Sequence, residues 1–244
     1  MEQVDVQQTS LDVDKGSTVF EESLSHGDPF SNDSKERIRW FQSLNAPRLC
    51  WEEGKVKIIG QVGKGDRGKV YKIQRGESIN AVKFYRKGDV EEAARREYTG
   101  LLVTNHLFPD VFPEPLGELV DKRGKVIGLE MKFVDKRQVN DFLDMEEYGR
   151  SGVVRPKDAT VVPKSFFERL KLVVKNLGEH NLWLTDFNGG KVLVDDDWNP
   201  TIVDVQYYPR SMYNWEPDAT LGTIEEMEKI FSRERMGKEE SKSG

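Results

Sequence analysis

The chain has 244 residues, 33% of them charged, and a formal net charge of −6; it is long enough for one domain or two small lobes with a packed core, and the acidic balance argues against a dedicated nucleic-acid binder. No apolar run approaches the roughly 18 residues of a membrane span, and Met1-Glu2-Gln3-Val4-Asp5 lacks the basic-then-apolar order of a signal peptide. The single cysteine, Cys50, excludes an internal disulfide, so an intracellular setting, cytoplasm or nucleus, is expected, and His26, His106 and His180 lie too far apart in sequence for a zinc site.

Residues 1–35 are rich in Ser, Asp, Glu and Gln without sustained apolar periodicity, which predicts a disordered tail. Ile38, Trp40, Phe41 and Leu44 then suggest a short helix ending before Pro47. From Val56 the pattern turns to β: Val56–Ile59, Val70–Ile73 and Ala81–Tyr85, separated by turn residues, read as three antiparallel strands. The spacing of Ala94, Tyr98, Leu101 and Leu102 predicts a helix from Val90 to His106. Extended segments follow at Leu116–Val120 and Val126–Val134 around the turn Asp121-Lys122-Arg123-Gly124.

The stretch Asp135–Pro163 is polar, with one helix expected near Val139–Tyr148. A stronger helix is predicted over Phe166–Glu179, opened by a capping box of Ser165 and Glu168. An amphipathic helix is expected at Ile224–Phe231 before a charged end, and Asp195-Asp196-Asp197 reads as a turn between two strands.

Two features carry chemistry. The first is Gly63-Lys64-Gly65-Asp66-Arg67-Gly68-Lys69-Val70. A Walker loop would need a hydroxyl at Val70 and a following helix, and a dinucleotide fingerprint would need a helix opening inside the motif. Strands on both sides instead fit a glycine hairpin of the G-x-G-x-x-G-x-V type. Lys83 follows on an apolar strand, where a lysine is costly unless its head is paired. On the next helix Glu91 and Glu92 can pair with Arg95 and Arg96 on the solvated face, whereas Glu97 shares an inward stripe with Ala93, Ala94 and Leu101 and so wants a cation, for which Lys83 is the natural candidate.

The second feature is a pair of acids eighteen positions apart. Asp186 lies in a polar loop before Val192-Leu193-Val194, and Asp204 ends Thr201-Ile202-Val203. Such a pair suits phosphoryl transfer.

With Gly63, Gly65, Gly68, Val70, Lys83, Glu97, Asp186 and Asp204 in this order over residues 56–206, the chain resembles the protein-kinase-like superfamily. The resemblance implies an α+β, two-lobed fold with a small antiparallel-sheet N-lobe and a truncated, mainly helical C-lobe. Residues 36–134 would form the N-terminal extension and N-lobe, 135–215 a reduced C-lobe, and 216–244 a C-terminal helix and tail. It further implies ATP with Mg²⁺ or Mn²⁺ as cofactors. Gly63, Gly65, Gly68 and Val70 would cover the nucleotide, Lys83 would hold its phosphates, and the backbone of Met131–Val134, Lys132 and Val134 included, would meet the adenine. Glu97 would hold Lys83, Asp186 would be the catalytic acid, and Asp204 would bind the metal, helped by Asn188.

The chain departs from that pattern in several places. Leu184-Thr185-Asp186 stands where H-R-D is usual, Asn188 and Lys191 have exchanged the customary lysine and asparagine positions, and Asp204-Val205-Gln206 replaces D-F-G. No A-P-E follows, and 40 residues after Asp204 cannot hold the usual substrate platform. The outline is similar to small bacterial effector kinases and compact kinase-like regulators, and the effector resemblance would imply delivery into a host cell. The expected function is transfer of the γ-phosphoryl of ATP to a hydroxyl, on a protein or a small molecule. The alternative is a pseudokinase that binds a partner.

Overall fold

The computed structural model describes residues 15–52, 54–65, 67–86, 88–144, 155–157, 162–180, 182, 184, 187–208 and 217–240. Among these the chain is α+β. Its central element is a six-stranded mixed sheet of β1 (Arg48–Cys50), β2 (Val56–Lys64), β3 (Gly68–Arg75), β4 (Ser78–Tyr85), β5 (Pro115–Val120) and β6 (Val126–Lys132), in the order β1-β5-β6-β4-β3-β2. All neighbours are antiparallel except β1, which runs parallel to β5.

Side chains alternate across a strand, and β4 uses both faces. Val82 joins a small cluster with Val56, Ile73 and Leu119 on one face. Ala81 and Tyr85, with Lys83 between them, lie on the other, where helix α3 (Val90–Leu107), numbered in chain order, packs against the sheet. Asp89 caps α3, its carboxylate accepting the Glu92 N–H at 3.1 Å.

Strand β1 was not expected from the sequence, since three residues beside Pro47 carry no strand periodicity. Its entry rests on Gly117, at φ +155°, where a Cβ would collide with the Pro47 carbonyl oxygen. That oxygen accepts the Glu118 N–H at 2.8 Å.

The expected disordered tail needs correction from residue 15 onward; residues 1–14 lie outside the described residues. Helices α1 (Lys15–Ser23) and α2 (Ser34–Ser43) pack into the main core. Phe20 stacks on His106 with centroids 4.1 Å apart, and the fully buried Trp40 donates its Nε1–H to Ser23 Oγ at 3.0 Å. Arg95 does not pair with Glu91 as expected. Its guanidinium donates to the carbonyls of Phe41, Gln42 and Leu44 at 2.9 to 3.1 Å, supplying partners to acceptors that a helix end leaves orphaned. Arg96 does pair with Glu92.

Beyond β6 lie β7 (Arg137–Gln138), β8 (Leu143–Asp144), β9 (Arg155–Pro156), β10 (Val192–Val194) and β11 (Pro200–Ile202), with helices α4 (Lys164–Glu179) and α5 (Pro217–Glu240) packed on each other. Strands β11, β10 and β7 form a second, three-stranded sheet. The helix expected near Val139–Tyr148 is a four-residue 3-10 turn, Val139–Phe142, followed by strand β8; residues 145–148 lie outside the described residues. The Ser165 capping box is absent because α4 begins two residues earlier than expected, at Lys164 after Pro163, and Glu168 pairs with Lys164 at 3.1 Å. Asp195 closes the expected turn, accepting the N–H groups of Asp197 and Asn199 at 3.1 and 2.8 Å.

Trp40 joins α2, Ser23 and Tyr207 in one packing unit, with its ring edge-on to that of Tyr207 at 5.5 Å. Truncation to alanine should lower the unfolding free energy by about 3 to 5 kcal/mol, read by denaturant titration. An unchanged midpoint would show that the N-terminal helices contribute nothing to the fold.

Candidate functional site

Three charged side chains from three elements meet under the sheet. The Lys83 Nζ of β4 donates to Glu97 Oε2 of α3 at 2.6 Å and contacts Asp204 Oδ1, in the segment after β11. The Tyr85 hydroxyl, two residues along β4 and thus on the same face, donates to the same Glu97 oxygen at 2.7 Å. Glu97 is 1% exposed. A carboxylate so placed must replace its lost hydration with donors, and Lys83 and Tyr85 are those donors.

The charges adjust to one another. Burial acts to lower the Lys83 pKa, but the Glu97 and Asp204 carboxylates outweigh it and hold the ammonium above the ordinary lysine value. Burial pushes the Glu97 carboxyl up, and Lys83 offsets only part of that rise. Asp204, only partly covered, goes the other way: burial would raise it, yet Lys83 and then Lys191 draw it below the usual carboxylate value. Burial, reinforced by Glu97, drives Tyr85 well above its ordinary value, so it remains a donor.

The cluster lines a cleft of about 430 Å³ between the large sheet and the three-stranded sheet, within the size range of small-molecule sites. Val70, Ala81 and Met131 line it from the large sheet, a registered row in which Val70 faces Lys83 and Ala81 faces Met131. Leu193 and Val203 line it from the other side, and Lys132 to Lys136 join the two. Lys132 and Val134 both border the cleft, although the Lys132 side chain points to solvent and pairs with Glu114 at 3.6 Å. A larger cavity of about 690 Å³ shares Lys132–Val134 but opens onto Asn105, His106 and Asp110. It contains none of the Lys83 cluster, so the chemistry favours the smaller space.

The glycines act in different ways. Gly63 pairs with Val70 and borders the cleft. Gly68 sits on the Phe84 carbonyl, where a Cβ would collide, and its own carbonyl accepts the Gly65 N–H at 3.0 Å. Gly65 has open space about it. Neither Gly65 nor Gly68 borders the cleft; they shape the hairpin that covers it. Arg67 at the hairpin tip donates to Gln206 Oε1 at 3.0 Å.

Asp204 has φ +64°, a left-handed backbone that is strained for a non-glycine residue. What holds it there is α3. Gly100 lets the helix approach so closely that a Cβ would lie 2.6 Å from the Val205 carbonyl oxygen, and the Tyr207 N–H donates to the Arg96 carbonyl at 2.9 Å. Asp204 Oδ2 also faces Lys191 Nζ at 3.4 Å, so each of its oxygens meets an ammonium. The Asn188 Oδ1 accepts the Gly190 N–H at 2.9 Å.

The Asp204 and Asn188 oxygens, the expected metal ligands, already have partners in this arrangement. Mg²⁺ demands near-octahedral oxygen ligation, whereas both Asp204 oxygens are engaged by lysines and the Asn188 oxygen accepts a bond within its own turn. Among the described residues no group of three His, Cys, Asp or Glu side chains is placed to hold a metal ion.

Of the expected site residues, Lys83, Glu97 and Asp204 are in contact, and Gly63, Val70, Lys132 and Val134 border the same cleft. Asp186 lies outside the described residues. Sequence reading missed Tyr85, Gly100 and the Lys191–Asp204 pair. Tyr85 and Gly100 were accessible through periodicity, at i+2 on the strand from Lys83 and i+3 on the helix from Glu97. No protein-family model and no curated protein matches this sequence.

Gly100→Ala should therefore destabilise by about 1 to 3 kcal/mol through overpacking, while Gly65→Ala should stay within about 0.5 kcal/mol in the same denaturant titration. Because the folded-state pKa of Asp204 is depressed, its charge contributes stability above the ordinary value of about 3.9, and that contribution is lost as pH falls through the folded value. Wild type should accordingly unfold at higher temperature than Asp204→Asn at pH 7, and the gap should close on acidification below about pH 4. A gap that widened on acidification would contradict the ion-pair assignment.

Proposed function

We propose that the cleft binds ATP and that the chain is a compact, divergent protein-kinase-like protein with two lobes, transferring the γ-phosphoryl group to a hydroxyl, in the first place on a protein. The observation that carries this reading is the meeting of Lys83, Glu97 and Asp204 beneath a glycine hairpin, at one end of a cleft with apolar walls. Val70, Ala81, Met131, Leu193 and Val203 suit a planar base, and the backbone of Lys132–Val134 offers donors and acceptors to its edge.

Lys83, oriented by Glu97, would meet the phosphates and stabilise the charge that spreads over them during transfer. Asp186, assigned from its sequence position, would orient the acceptor hydroxyl and take its proton. The acceptor oxygen bonds to the γ-phosphorus as the bond from that phosphorus to the β–γ bridging oxygen breaks, and ADP leaves.

One observation favours a second reading, a nucleotide-binding protein that docks a partner without transfer: the two lysines on Asp204 occupy the carboxylate that a metal would need. Labelled ATP, offered with Mg²⁺, Mn²⁺ or chelator together with protein and small-molecule acceptors, separates the two. Transfer should be measurable in the wild type and fall by about 10² to 10³ in Lys83→Met and in Asp204→Asn. Equal incorporation in either variant removes the catalytic assignment. A thermal shift by ATP without incorporation into any acceptor selects the second reading.

A further inference from the structure

The two donors on Glu97 Oε2 are not equivalent. Lys83 borders the cleft and contacts Asp204 as well, whereas Tyr85, 8% exposed, has no place in the lining. Strand β4 sets Tyr85 opposite Gly68 at the root of the glycine hairpin, and the Lys83 ammonium lies 5.4 Å from its ring centroid. Tyr85 therefore acts on a ligand in the cleft only through Glu97 and Lys83.

A phosphate in the cleft competes with Glu97 for the Lys83 ammonium. Whatever the lysine gives to the phosphate is taken from a carboxylate that water does not reach, and a buried charge short of donors is costly. Resting on the nucleotide reading above, we propose that Tyr85 is a positioning residue of this cleft: its hydroxyl keeps Glu97 supplied with a donor while Lys83 engages the phosphates. Tyr85→Phe keeps the ring and removes that donor. Glu97 then either holds the ammonium back from the ligand or takes up a proton and ceases to orient it. The second route grows as pH falls. Burial raises the Glu97 carboxyl pKa and Asp204 adds to the rise, against which Lys83 and the Tyr85 hydroxyl, both from β4, act to lower it.

The test is ATP binding by the full chain, measured by calorimetry at pH 8 and pH 6 in Mg²⁺ or, where wild type binds more tightly there, in chelator. Tyr85→Phe should bind about tenfold more weakly than wild type at pH 8, the loss of one hydrogen bond to a charged group, and the ratio should widen at pH 6. Introduced into Glu97→Gln, which carries no charge to be kept supplied, the same change should cost less than about twofold. If Glu97→Gln binds no ATP, the pH comparison decides. Thermal unfolding without nucleotide establishes that each variant is folded. An unfolded Tyr85→Phe that Glu97→Gln restores to folding shows that the carboxylate needs the hydroxyl even beside Lys83, which supports the inference; one that it does not restore assigns Tyr85 to packing and overturns it.

Wild-type affinity in a folded Tyr85→Phe at both pH values overturns the inference and leaves the nucleotide reading standing. So does a loss that depends neither on pH nor on Glu97. Absence of ATP binding by wild type overturns the nucleotide reading and this inference with it.

Discussion

A carboxylate almost wholly withdrawn from water governs this structure. Glu97 cannot remain ionised under the large sheet without a cation, and Lys83 is the cation it contacts. The idealised cost of dehydrating each ion is large, and attraction compensates only when geometry and additional hydrogen bonds are good. That requirement accounts for several features together: the face of β4 on which Lys83 lies, the rotation of α3 that points Glu97 inward, and the Tyr85 hydroxyl on the same oxygen. A pair of apolar residues would pack there at lower cost, so the pair is better understood as fixing the position of the lysine head than as a source of stability.

The sequence carried much of this in residues that break their own pattern. Lys83 interrupts an apolar strand, and Glu97 falls on the apolar stripe of a helix. Period-2 and period-3.6 reading together imply that the two meet, and the alternation of β4 answers which face. Features set by contacts distant in sequence were not legible. Phe20 stands in polar surroundings with no periodicity to reveal it, and the apolar cluster that predicted a helix around Trp40 does not say what that helix meets; the two rings pack on His106 and Tyr207, residues far away in the chain. The parallel strand β1 depends on the left-handed glycine at 117, and the start of α4 turned on Pro163 rather than on the better-looking capping residue, Ser165, two positions on. Lys191 was recognised as misplaced relative to a familiar motif, but only the hairpin register shows that it faces Asp204.

The N-terminal helices also bear on the site, although they contribute nothing to the lining of the cleft. Arg95 ties α3 to the end of α2, and Tyr207, three residues beyond Asp204, stacks on Phe41 at 6.0 Å and donates its hydroxyl to the Pro29 carbonyl at 2.7 Å. Both elements that present acids to Lys83 are thus braced from outside by the same short stretch of chain. Precision in a site of this kind comes from such surrounding support.

The missing side chain at Gly100 has a mechanical corollary. With the Val205 carbonyl seated in the groove it leaves, and the Arg96 carbonyl holding the Tyr207 amide, the helix and the acid-bearing segment are fastened into a single piece. A swing of that helix away from the sheet would drag Asp204 along with Glu97, stripping both partners from Lys83 in one movement. The lysine is therefore either clasped from two sides or released from both, and the cleft is assembled as a unit.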